Sequence, residues 1–378
     1  MSNATDFRRS ARHSRVPAWV GVVLTLALGL ALTACATGGR SAQGPQGTVA
    51  PPRLGVPGET ASSSRPSGSV VPPGVTETVT VRIRVTDDRG TRVVTMPLDD
   101  YVVGAVRAEL PPRALQNDVL YRLLQVQAVV SRTYALANIR RHNAEGFDLC
   151  DSTHCQLYRS KRATETDTDP AARAVATTRG EVITFDGRVI QALFHSSCGG
   201  HTTSAGAVWG GTEMPYLRPV PDWFCARPAS ATNWEFSIDE ASLRQALNSD
   251  TRTTVGSRLG RIEVIQRDLS GRAELVTIGG TRAPVVRADE LRAVMRRVFG
   301  QRSIRSTWFT VARRGDQFVF TGVGYGHGVG LCQTGASQRA EAGQSPIDII
   351  AHYFPGTRLQ AASLALVGPV PNDQHVGH

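Results

Sequence analysis

Beyond Thr76 the apolar residues follow two periods. In TETVTVRIRV, Val79, Val81, Ile83 and Val85 alternate with polar residues, and a DDRG turn leads into a second short run. That is the pattern of a half-buried hairpin. Further on, Val119, Leu123, Val126, Val130 and Tyr134 recur at threes and fours, which predicts a long helix running to about residue 142. Residues 169–178 predict a shorter helix stopped near Gly180, followed by EVITF, an Asp186-Gly187 turn and RVIQALFH, a second hairpin. The pattern then predicts helices over 239–247 and 289–299, a hairpin through Ser270-Gly271 and a strand pair ending in QFVFTG. A helix over 333–342 is ended by Gly343, and one over 346–353 is started by Ser345 with proline at its first position. Helices and hairpins interleave without regular βαβ alternation and without an internal repeat. The expected fold class is α+β, with mainly antiparallel sheet.

The amino-terminal third obeys neither period. Arg8, Arg9, Arg12 and Arg15 precede an almost unbroken apolar stretch over 19–34 that closes with Leu32-Thr33-Ala34-Cys35. This is the layout of a secretory signal, too short and one-sided for an ordinary spanning helix. The LTAC tetrapeptide resembles a bacterial lipobox, which makes residues 1–34 a lipoprotein signal peptide and Cys35 the lipidated residue. From 36 to about 75 the chain is Pro, Gly, Ser and Thr with scarcely an aromatic, and cannot offset its ordering entropy by burial. Such a linker has a mean reach of roughly 35 Å. The expected organisation is therefore an anchored linker over 35–75, one folded domain over 76–360 and a tail over 361–378. Localisation follows as exported and lipid-anchored in the bacterial cell envelope, with the membrane as a partner through the anchor.

Composition changes the picture only in part. The chain has 378 residues, 41% hydrophobic, and a net charge of +10, supplied almost wholly by arginine. A basic surface suits nucleic acid, anionic lipid or cell-wall polymer. An exported chain has little use for nucleic acid, so none is expected as a partner, and loss of the signal brings the charge to about +7.

One segment stands apart. In GVGYGHGVGLCQTGA glycine occupies every second position from Gly322 to Gly330, around a lone His327. In an extended segment Val323, Tyr325, His327, Val329 and Leu331 share one face and the other is bare peptide, open to close approach by a ligand or another backbone. Positive φ at the glycines offers the alternative of a sharp bend with His327 at a corner. Neither a phosphate loop nor a dinucleotide fingerprint fits this spacing.

VGYGHGVGLCQTGASQRAEAGQSPIDIIAHYFPGT resembles the carboxy-terminal signature of the stage II sporulation protein D (SpoIID/LytB) family. Three further blocks match in order: MPLDDYVVGAVRAELP, LQVQAVVSRTYAL with FDLCDSTHCQLY, and RGEVITFDGRVIQALFHSSCGGHT with VWG and PYLRPVPD. The resemblance covers roughly 95–358. It implies a SpoIID-like catalytic domain and a peptidoglycan lytic transglycosylase that cleaves glycan strands, particularly those without stem peptides, to 1,6-anhydro-muramyl ends. The alternative it carries is a non-catalytic peptidoglycan-binding enhancer of a cell-wall amidase. It makes Glu109 in AELP the catalytic residue, against a plain reading in which Glu109 precedes a helix amino terminus and the dipole holds it ionised. It also points to Gln127, Arg132, His195, Ser196, His327 and Gln333 as substrate-binding residues, against plain readings of a solvated helix face for Gln127 and Arg132 and of a satisfied buried histidine for His195. A lytic transglycosylase can work with one carboxyl, because its nucleophile is the substrate's own C6 hydroxyl, whereas hydrolytic glycosidases usually need two.

Setting Cys35 aside leaves Cys150, Cys155, Cys198, Cys225 and Cys332, an odd number in a compartment that permits disulfides. The segment HNAEGFDLCDSTHCQLY holds His142, Cys150, His154 and Cys155. By resemblance His142, Cys150 and Cys155 are matched to a structural zinc site, with His154 an equal substitute for His142 and a Cys150–Cys155 disulfide the competing reading. For Cys198 and Cys225 a disulfide is preferred. A cysteine or zinc hydrolase is a third function, for which no complete Cys-His-Asn pattern is present. Trp209, Tyr216 and Trp223 are candidates for stacking on sugars, with core packing the commoner fate.

Overall fold

The protein, seen in a computed structural model, is described over residues 79–110, 115–160, 169–226 and 232–362, all within one unit spanning Pro72–His378. The expectations for Cys35, the signal, the linker and the tail beyond 362 lie outside the described residues. The fold is α+β, with small and mostly antiparallel sheets.

The first hairpin forms as its alternation requires. Strands β1 (Thr80–Asp87) and β2 (Gly90–Pro97) pair from Thr80 opposite Pro97 to Asp87 opposite Gly90, and Val81, Ile83 and Val85 are buried. The chain then enters α1 (Leu98–Glu109), in a stretch to which the hydrophobic pattern assigns no element. Its logic is visible once drawn: Asp99 and Asp100 favour the first turn, while Leu98, Tyr101, Val102, Ala105 and Val106 bury one stripe. Helix α2 (Asn117–Ala137) stops five residues short of the expected His142, because Asn138 caps it through bonds to Tyr134 O and Arg140 turns back at φ 71°. That early stop returns His142 toward β3 (Leu149–Cys150), which runs parallel to β1.

Helix α3 (Pro170–Thr177) starts at Asp169, whose carboxylate accepts the Ala172 N–H at 2.9 Å. The hairpin of β4 (Glu181–Phe185) and β5 (Arg188–Val189) turns through Asp186 and Gly187, both at positive φ, as a type I′ turn demands. The expected strand over 188–195 is broken, resuming only as β6 (Phe194–His195), and α4 (Ala205–Trp209) follows.

Next come β7 (Trp234–Asp239), α5 (Glu240–Asn248), β8 (Leu259–Arg267), β9 (Ala273–Gly280), β10 (Val285–Arg287), α6 (Ala288–Phe299), β11 (Phe309–Arg314) and β12 (Gln317–Gly322). They form two three-stranded antiparallel sheets, β10-β9-β8 and β11-β12-β7, around a hydrophobic core of their own. The chain returns through β13 (Leu331–Cys332), α7 (Gln333–Glu341), α8 (Pro346–Tyr353) and β14 (Arg358–Ala361). Those residues complete the first core, which is built from both the early and the late chain. The second core is thus an insertion between Cys225 and Val329.

The glycine segment is bent, not an extended strand. Gly324, Gly326, Gly328 and Gly330 all have φ between 70° and 105°, a region that costs other residues dearly. Its backbone lies against residues 193–198: Tyr325 and Ser197 exchange N–H···O bonds at 2.8 and 3.0 Å, and β13 pairs parallel with β6. A Cβ on Gly326 would stand 2.9 Å from that of His195, and one on Gly330 2.1 Å from the Leu193 carbonyl oxygen. Alternate glycines let two backbones touch, as the sequence pattern anticipated, through a bend rather than a flat face.

Candidate active site

A cleft of about 840 Å³ opens between the two cores. Glu109, the last residue of α1, stands on one side, with the 152–157 loop beside it and His195, Ser196, His327 and Gln333 from the β6–β13 region below. Glu109 is not ahead of a helix amino terminus, as the plain reading supposed. It closes the carboxy-terminal turn of one, where the dipole opposes negative charge. Its Oε1 accepts the Leu157 N–H at 2.7 Å. Burial dominates over that bond and over a bond from Gln333, and the carboxyl is pushed up to about 7. The group is therefore largely protonated at mildly acidic pH yet able to ionise near neutrality.

Gln333 and Gln127 were both expected to meet substrate, and the structure separates them. Gln333 lines the cleft and donates from Nε2 to Gln127 Oε1 at 3.3 Å, whereas Gln127 is buried behind it and donates to Ser131 Oγ at 3.1 Å. Gln127 thus orients Gln333 and does not line the cleft. Arg132 is likewise away from the cleft, and buried. Its guanidinium donates to Asp99 at 3.0 Å and to the carbonyls of Val175 and Glu181 at 3.2 and 3.3 Å, tying α2 to α1, α3 and β4. A position on the inner side of a helix gives an arginine this structural task.

The two histidines are held in defined tautomers. His195 donates from Nδ1 to the Val329 carbonyl at 3.1 Å, and burial pushes it down to about 3, so it is neutral. Its Nε2 is buried without a hydrogen-bond partner among the described residues. His327 accepts the Val329 N–H on Nδ1 at 3.1 Å and donates from Nε2 to the Phe194 carbonyl at 2.9 Å. With both nitrogens on backbone, His327 fastens the glycine segment to β6 and offers its ring, tilted against Trp209 at 5.2 Å between centroids, to the cleft. Of the aromatic candidates, Tyr216 tilts against Phe185 and Trp223 is 76% exposed, and neither lines the cleft.

His142, Cys150, His154 and Cys155 converge beside the cleft. The sulfurs lie 3.3 Å apart, Cys155 Sγ is 3.4 Å from His142 Nε2, and both sulfurs are 3.7 Å from His154 Nδ1. A tetrahedral ion with bonds of about 2.0–2.3 Å spaces its ligands at about 3.3–3.8 Å, so this donor set fits zinc with both histidines included. His142 Nδ1 also meets Glu145 Oε1 at 2.6 Å, the outer carboxylate common behind a ligating histidine. All five described cysteines are free thiols, which corrects the disulfide expected between Cys198 and Cys225.

The far wall was missed in the sequence. It is formed by Arg252 and, on α6, by Asp289, Arg292, Arg296 and Arg297. Arg292 pairs with Asp289 at 2.8 Å, and Arg252 and Arg297 share Asp250 at 2.9 and 3.3 Å. Arg296 has no ion pair among the described residues, and burial with the charge of Arg292 pushes it down to about 10, still a cation at neutral pH. Arginines at i, i+4 and i+5 of a predicted helix were the available signal.

Residues 86–185 match the family model described as Stage II sporulation protein, SpoIID. The chain carries a SpoIID family domain. It is 28% identical to the stage II sporulation protein D of Bacillus amyloliquefaciens, over 71% of this chain and 76% of that protein. It is also 28% identical to the stage II sporulation protein D of Bacillus subtilis, over 72% and 77%. A Bacillus subtilis protein named amidase enhancer matches at 28% over 62% of this chain and 37% of its own length. The SpoIID domain holds Glu109 and the four-residue cluster that could hold a metal. A separate model, a domain of unknown function (DUF8618), matches residues 225–330 and coincides with the inserted core that supplies the arginine wall.

Proposed function

We propose that this protein is a peptidoglycan lytic transglycosylase, exported and held at the cell envelope by a lipid on Cys35, with Glu109 as its single catalytic acid and base. The observation that carries this reading is one available carboxyl, pushed up to about 7, in a cleft whose other carboxylate, Asp289, is engaged by Arg292 and by Trp209 Nε1 at 3.1 Å. Among the described residues that line the cleft, a two-carboxylate hydrolysis has no second free partner. In the proposed reaction Glu109 gives its proton to the bridging oxygen as the bond from the muramyl C1 to that oxygen breaks. The C6 hydroxyl of the same sugar attacks C1, and the Glu109 carboxylate takes the hydroxyl proton. No water is consumed, and the carboxyl returns to its starting form.

The other residues have supporting tasks. Leu157 N–H and Gln333 aim the carboxyl, Ser196 and the His195 and His327 rings floor the sugar site, and the arginine wall attracts an anionic polymer. Zinc on His142, Cys150, His154 and Cys155 would fix the loop that carries Leu157. The names of the relatives support a cell-wall role, and the amidase enhancer keeps a second reading in view, a peptidoglycan-binding partner of an amidase.

Mass analysis of products from purified glycan strands, with and without stem peptides, separates the two. Anhydro ends are expected, and Glu109→Gln should lower their release by about 10²- to 10⁴-fold while glycan binding persists. The rate should fall as pH rises through about 7, because the first step needs the protonated carboxyl. Stimulation of an amidase by both forms, without glycan cleavage by either, would transfer the assignment to the enhancer.

A further inference from the structure

Behind the cleft floor lies a second cluster that the proposed chemistry does not use. Cys198, Asp222, Cys225 and Cys332 are at most 1% exposed, and one ligand atom from each lies within 4.8 Å of the other three. They come from three separate parts of the chain: the turn after β6, the segment before the inserted core, and the end of β13. A disulfide would join two of the sulfurs and leave the third thiol and a buried carboxylate facing it.

Backbone donors converge on the sulfurs. Cys332 Sγ accepts the backbone N–H groups of Cys198 and Gly335 at 3.2 and 3.3 Å, and Cys198 Sγ accepts that of Gly200 at 3.4 Å. Such N–H groups would orient two of the sulfurs toward a shared ion, as outer-shell bonds around a metal do. Asp222 is oriented from outside, by Tyr353 Oη at 2.7 Å and Arg339 Nη2 at 3.3 Å. Arg272 is also buried. It donates to the Cys198 carbonyl at 2.7 Å, while its Nε and Nη1 have no hydrogen-bond partner among the described residues. Three thiolates and a carboxylate around a divalent ion leave two negative charges, and these two buried guanidinium groups offset them.

We infer that Cys198, Asp222, Cys225 and Cys332 form a structural zinc site. Four ligands in a closed, buried set with no open position are the mark of a structural rather than a catalytic ion, and thiolate donors select zinc over magnesium or calcium. On binding, the thiol protons pass to solvent. Cys332 immediately precedes Gln333, and Cys198 follows His195 and Ser196 by three and two positions, so the ion locks the strands that floor the cleft.

The test is zinc content of the full chain, purified under reducing conditions without chelator. A Cys150→Ser/Cys155→Ser variant, which disables the first cluster, should retain close to one zinc per chain, with about three sulfurs at about 2.3 Å by X-ray absorption. No zinc in that variant, or zinc with fewer sulfurs, overturns the site. Should the variant fail to fold, the wild-type chain decides. A ratio near two zinc ions with no disulfide-linked peptide in a non-reducing mass map supports the site, and a ratio of one or less, or a linked pair among Cys198, Cys225 and Cys332, overturns it.

Discussion

In the proposed mechanism, Glu109 trades stability for chemistry. Its folded pKa of about 7 stands above the ordinary 4.5, so the fold favours the protonated form. That stabilisation is complete below about 4.5 and is lost as the pH rises through about 7. Glu109→Gln, neutral at every pH, should match the wild type near pH 4 and exceed it by up to about 3 kcal/mol at pH 8. Denaturant melts at the two pH values check this; equal stability at pH 8 would show that the carboxyl is not raised. Leu110 and the neighbouring apolar residues suggest desolvation in the sequence, but the opposing bond from Leu157, 48 positions away, does not follow from any local pattern.

Elements, not single residues, decide what the arginines do. Arg132 on α2 reaches three other elements from a buried position, so Arg132→Ala should cost on the order of 3 kcal/mol by stranding the groups it bonds. Below the lowered melting point its KM for glycan should be unchanged, since it lies away from the cleft; a raised KM with normal stability would restore it to substrate binding. On α6 the opposite holds. Arg296→Ala should raise KM several-fold for anionic strands with kcat unaltered, and the loss should shrink as salt is added, because the attraction is screened over about 8–10 Å. Titration of the rate against ionic strength reads this directly.

At the scale of the whole molecule, the cleft exists only because an inserted core faces the core that carries the acid. Zinc on the His142, Cys150, His154 and Cys155 cluster, as proposed, would brace that arrangement from the SpoIID side. Cys150→Ser or Cys155→Ser should lose the zinc of this cluster alone, about one ion per chain, melt lower and cleave more slowly, since the loop it secures ends in the N–H that aims Glu109. Elemental analysis with a thermal melt checks it; full zinc content in both variants would remove the cluster from the account.

Local periodicity was enough to determine most elements: the hairpins at 80–97 and 181–189, helix α3 with its Asp169 cap, and helices α5 to α8 follow from alternation, spacing and capping residues. The motif blocks likewise singled out Glu109, His327, Gln333 and the 142–155 donors. Tertiary structure alone decided the rest. It bent the glycine segment, since alternate glycines permit an extended strand and a string of left-handed turns equally, and only the packing of 193–198 selects between them. It turned Gln127 and Arg132 inward, brought His154 into the metal cluster, and gathered Cys198, Asp222, Cys225 and Cys332 across more than 130 residues. Spacing along a chain governs contacts within a helix or hairpin. Contacts between distant segments are set by which faces must be buried together.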